Sequence, residues 1–175
     1  MKKLFVALCA LFVCVATFAG NPLSVENKTT DLKNLFKNKA TACLVIDWSQ
    51  TLYDNQKKAS EEFGSDYDFI KNDCASKFIE GFNHRSKGLK LTTEKQGADY
   101  KFMLTVKNLD SFVNVMGFGP RTEAKMWGTL KIVDASGTTV AEIKIDEAED
   151  GTDYVKKEAF GKTFLLLGDR VAKLK

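Results

Sequence analysis

The chain has 175 residues, 44% of them apolar, with 26 Lys and Arg against 23 Asp and Glu. That length suits one domain with a sizeable core that needs no disulfide staples. Lysines and acids are interspersed, so no basic stripe points to nucleic acid, and past the first twenty residues no apolar run is long enough to span a bilayer.

Lys2 and Lys3 precede an apolar run, Leu4 to Phe18, that ends in small residues at Thr17 and Ala19. This is the pattern of a secretory signal peptide over residues 1–19, cut after Ala19 at a small-x-small site. Cutting after Gly20 would put bulky Phe18 at the outer position and ranks second. A lipoprotein signal needs a small residue just before its cysteine, whereas Leu8 precedes Cys9 and Val13 precedes Cys14. The expected product is periplasmic or secreted, without a lipid anchor and without a transmembrane span. Leader removal takes two lysines and no acid, leaving 24 basic against 23 acidic residues, a balance of +1. Such a surface offers little to a polyanion or a charged membrane.

Residues 20–40 are polar and read as an N-terminal arm, with a short helix at 31–37 that Asp31 can cap. A single α+β domain follows over 41–175. The β-branched, apolar run 43–48 predicts a central strand. Residues 51–65 read as loop with a helical turn. From Asp66 the period changes, because Tyr67, Ile70, Cys74, Phe78 and Phe82 recur at helical spacing, with Ser65 or Asp66 to cap and Gly88 just past the end. A short strand is expected at 89–93. Tyr100, Phe102, Leu104 and Val106 alternate with polar residues as in a half-buried strand, and Phe112, Val113 and Val115 extend it. A strand over 124–133 and a returning strand over 140–145 flank a tight turn at 134–137. The acidic run 146–150 with Gly151 reads as a loop. Phe160, Phe164, Leu167, Val171 and Leu174 predict a closing amphipathic helix. The natural solution is a two-layer α+β sandwich: a largely antiparallel sheet of about five strands with two amphipathic helices on one face.

Chemistry-bearing patterns are sparse. The strand running into Asp47-Trp48-Ser49-Gln50-Thr51 resembles the nucleophile loop of haloacid-dehalogenase-type phosphatases, in which the aspartate attacks phosphorus beside a Mg²⁺. Ser49, however, stands where that family carries a second aspartate, and a meander replaces its βα repeats; the plainer reading is a strand end closed by an Asp and Ser turn. Asp146, Asp150 and Gly151 mimic part of a calcium loop, but Ala148 and Lys157 occupy ligand positions. His84 is the sole histidine and sits near a helix end, where a cation is welcome. No cofactor motif is present. Cys43 and Cys74, the pair left after leader removal, read either as a disulfide from strand to helix or as two small buried residues. The Cα separation decides between these readings.

Three residues stand out for binding. Gly117-Phe118-Gly119-Pro120-Arg121 reads as a tight reversal between long strands. As a binding loop it presents Phe118 beside Arg121; as a plain connection its glycines only supply positive φ. Trp127 lies opposite Met126 in the strand alternation. If helices cover one sheet face only, Trp127, Met103 and Phe112 form an exposed apolar patch, the mark of a partner or ligand surface.

With its leader, its Asp47-Trp48-Ser49 strand, its Trp127-Gly128 strand and its closing 164–174 helix, the chain resembles small secreted proteins of unknown function from gut-type Gram-negative bacteria. The element order is also similar in topology to periplasmic accessory domains such as TolB amino-terminal regions and lipoprotein cofactors of cell-wall synthesis. That resemblance carries no assigned chemistry; because acids, bases and nucleophiles do not converge in any recognisable spacing, the expected function is that of an exported, non-catalytic envelope protein that binds another protein, a glycan or an apolar ligand. The alternative is a metal-assisted, phosphatase-like hydrolase using Asp47.

Overall fold

The computed structural model describes residues 21–115 and 120–175, so the leader and Phe118 lie outside the described residues. The elements run β1 (Leu23–Lys28), α1 (Leu32–Lys37), β2 (Thr41–Asp47), β3 (Leu52–Tyr53), β4 (Lys57–Lys58), α2 (Ala59–Phe63), α3 (Tyr67–Arg85), β5 (Lys90–Thr92), β6 (Tyr100–Asn114), β7 (Arg121–Asp134), β8 (Thr139–Asp153) and α4 (Lys156–Val171). The fold is α+β, but its sheet is larger than expected and mixed. Eight strands take part, in the order β1-β8-β7-β6-β2-β5, with the β3–β4 ribbon attached beside β6. Strands β1, β8, β7 and β6 are antiparallel, whereas β2 runs parallel to both β6 and β5.

The extra strands come from segments too short or too polar for apolar alternation to mark them. In β1 (Leu-Ser-Val-Glu-Asn-Lys) only Leu23 is buried, so the leading arm looked unstructured although it forms the sheet edge against β8. The short helix after it is as expected: the Asp31 carboxylate accepts the Lys33 amide at 3.0 Å, and Leu32, Leu35 and Phe36 are buried. The acidic run 146–150 also departs from expectation. It stays within β8, which absorbs it through register shifts and a left-handed Glu147 at φ 54°. The calcium-like spacing therefore lies along a strand rather than around an ion-binding loop. The turn at 134–137 forms as expected, with the Asp134 carboxylate accepting the amides of Ser136 and Thr138.

One core lies between the sheet and the helices. Phe82 of α3 meets Phe36 of α1 and Phe102 of β6 edge-on, each at a centroid distance of 5.3 Å. Such contacts add about 0.5–1.5 kcal/mol each beyond area burial. Helices α3 and α4 approach closely enough that side chains are excluded from the crossing. A β-carbon on Gly81 would lie 1.9 Å from the Leu165 carbonyl oxygen, and one on Gly168 would lie 2.2 Å from that of Phe78. The side chains that flank this contact are charged: Arg85 Nε donates to Asp169 Oδ1 at 2.7 Å.

Both thiols are free and buried, so the disulfide reading of Cys43 and Cys74 is corrected. The reason is the pleat. Ala42 and Leu44 of β2 join the helix-covered core together with Cys74, whereas Cys43 between them is not part of it and directs its thiol to the carbonyls of Leu44 and Thr93 at 3.6 Å. A residue of opposite parity on a strand faces the other side of the sheet.

Two measurements check this packing. Gly81→Ala should lower unfolding free energy by about 1–3 kcal/mol in denaturant titration, since backbone must move to admit the methyl. In peptide mapping without reductant, Cys43 and Cys74 should both alkylate in denaturant and neither in the native protein.

Candidate functional site

The alternation of β6 and β7 divides their side chains cleanly. Phe102, Leu104 and Val106, with Met126, Leu130 and Ile132, turn to the helices. The residues between them (Lys101, Met103 and Thr105 on β6, Lys125, Trp127, Thr129 and Lys131 on β7) turn the other way. Helices α1, α3 and α4 all bury their apolar side chains in the one core. Among the described residues no helix covers the opposite face. Met103 is 40% exposed and Phe112 42%, while Trp127 is half-buried. The condition set by the sequence, helices on one side only, is met.

Charge on this face is largely paired. Lys131 meets Glu142 at 3.4 Å, Lys144 meets Asp146 at 3.1 Å, and Lys125 pairs with Glu147 while lying 5.2 Å over the Phe112 ring. Exposed pairs of this kind contribute little stability. Their effect is to leave a nearly neutral surface around the apolar groups.

The three residues singled out for binding do not converge on one point. Phe118 lies outside the described residues. Arg121 donates to the Tyr154 hydroxyl at 3.1 Å and stacks its guanidinium 5.2 Å from that ring. Trp127 is six residues further along the same strand, roughly 20 Å away at the rise of an extended chain. Tyr154 and Val155, 64% and 42% exposed, were missed from sequence; they join Val113 at the far end of the β6–β7 pair. The available signal is two large apolar residues, Tyr154 and Val155, between the acidic run and the closing helix.

The patterns that suggested chemistry hold structural positions. The Asp47 carboxylate accepts the Ser49 amide at 2.9 Å, and the amide and hydroxyl of Ser49 hold it below the usual carboxylate range. It closes the turn that leaves β2. His84 is exposed in the last turn of α3. Among the described residues no three His, Cys, Asp or Glu side chains gather as a metal would require.

Beyond that turn the chain folds back as β3, β4 and α2. Glu62 of α2 fixes this excursion to the body: it accepts from Lys156 of α4 at 2.7 Å and pairs with Lys57 of β4. Lys156 also sits 4.4 Å over the Tyr53 ring. Hydrogen bonds from Lys156 and then Lys57 hold the Glu62 carboxyl below its ordinary 4.5. A carboxyl depressed in the folded state stabilises above its unfolded pKa and loses that contribution as pH falls through the folded value. Thermal stability should therefore drop as pH falls below about 4.5. In Glu62→Gln the drop should be shallower, with a lower melting temperature at neutral pH.

No family model and no curated protein matches this chain. Three solved structures align with much of the chain at low identity. A PelC dodecamer subunit from Paraburkholderia phytofirmans is 12% identical over 85% of this chain and 96% of that one, with a TM-score of 0.40. A neuraminyllactose-binding hemagglutinin homolog from Helicobacter pylori is 9% identical over 85% and 84%, at 0.36. A minor lipoprotein from Acinetobacter baumannii is 13% identical over 77% and 87%, at 0.29. No TolB domain is among these three, and likeness at this level fixes no function.

Proposed function

We propose that this chain is an exported, non-catalytic accessory protein of the bacterial envelope that binds a partner through the uncovered face of its sheet. The observation that carries the reading is the half-buried Trp127, set with Met103 and Phe112 on a face that no helix covers. An indole and a thioether along a strand face whose charges are largely paired suit a protein–protein contact, where aromatic and Met side chains are enriched. A flat strand face does not enclose a small molecule, because such sites are concave. The leader supports export. Asp47 and His84 are accounted for by a turn and a helix end, which supports a binding role over hydrolysis.

Photo-crosslinking in the native envelope tests the proposal. A benzophenone amino acid in place of Trp127 or Met103 should give a discrete adduct, while one in place of Lys95, in the exposed loop after β5, should not. Adducts of equal yield from all three positions, or from none, would overturn the sheet-face reading.

A further inference from the structure

A second site lies off the carboxyl end of β2, where the chain leaves a strand that has parallel neighbours on both sides. Concavities at the carboxyl ends of parallel strands are where open sheets commonly take ligands. Here the turn after β2, the start of α2 and the first turns of α3 border an open cleft of about 360 Å³. That is within the range of small-molecule sites, about 300–1,000 Å³.

Its lining has a definite chemistry. Trp48 forms a fixed wall, stacked on Phe164 at 5.6 Å and met edge-on by Tyr67 at 6.4 Å. Hydroxyls come from Ser49, Ser60, Tyr67 and buried Thr51. The Thr51 hydroxyl donates to the Val106 carbonyl at 2.8 Å and pairs with Tyr67, whose hydroxyl also reaches the Trp48 carbonyl at 3.4 Å, so Ser49 and Ser60 are the lining hydroxyls left for a ligand. Two ammonium groups, Lys58 and Lys71, complete the lining, and no carboxylate residue contributes to it. Lys71 is steered over the Tyr67 ring at 4.9 Å, with Asp68 on its exposed side at 2.7 Å. Lys58 has no acidic partner among the described residues. Lys58 therefore selects for an anion, while the charge of Lys71 is shared with Asp68. Hydroxyls beside an aromatic wall select for a ligand that is itself hydroxylated and has an apolar ring face.

We propose that this cavity binds a small hydroxylated organic anion, a monosaccharide carrying a phosphate or a carboxylate. The site is separate from the sheet face and does not depend on the partner proposed for it.

Calorimetric titration of the full chain tests this, with glucose 6-phosphate and glucuronate as the two anionic probes and glucose and inorganic phosphate as controls. Saturable binding of either anionic sugar is expected, and which of the two binds identifies the acidic group. Glucose and inorganic phosphate should each bind at least about tenfold more weakly, since each lacks half of the recognised chemistry. The Lys58→Ala/Lys71→Ala double variant should weaken sugar-anion binding about tenfold or more. Lys58→Gln, which keeps the side-chain stem, should weaken it as well, whereas Lys39→Ala should not. Absence of binding by both sugar anions, inorganic phosphate binding as tightly, or unchanged affinity in the double variant would each overturn the proposal. None of these results would alter crosslinking from Trp127.

Discussion

The closeness of α3 and α4 is the constraint on which the remaining structure depends. Glycines at 81 and 168 let backbone meet backbone, so the helix pair presents one narrow apolar ridge to the sheet. Phe78, Phe82, Phe160 and Phe164 fill the space beneath it and are fully buried. Had side chains stood at those glycines, the helices would spread, and the phenylalanine layer would lose its close packing.

That concentration of helix on one side leaves the other side of the sheet without a partner from its own chain. The molecule therefore has two surfaces of different character. The sheet face is flat and nearly neutral. The cavity beyond β2 is concave, hydroxylated and cationic. They are built by different means: strand alternation makes the first, and the Glu62–Lys156 clamp secures the α2 wall of the second.

The sequence announces an element where its apolar periodicity is strong. Helices α3 and α4 and strands β2, β6 and β7 carry strong apolar repeats and fall where their sequences place them. Strand β1 has the polar composition of an arm, and it buries only Leu23. Strands β3 and β4 are two residues each, too short for any alternation to register. The acidic end of β8 has a loop composition, yet long β7 holds it in the ladder as far as Asp153. Of the residues proposed for binding, Trp127 is legible from strand parity alone. The cavity was not, because Lys58 and Lys71 are brought together by the β3–β4 excursion, which the sequence does not announce. Cys43 and Cys74 made a plausible pair until strand parity placed Cys43 outside the helix-covered core.

The edge strand has a consequence for biogenesis. Val25 pairs with Ile143 and Leu23 with Ile145, so the first strand waits for almost the last one. Closing so long a loop is entropically costly and slow. A chain threaded across a membrane by its amino end would thus keep its foremost segment unpaired until nearly all of it had been synthesised. Under the proposed export, that order of assembly would keep the precursor open for translocation, and the edge would be completed on the far side.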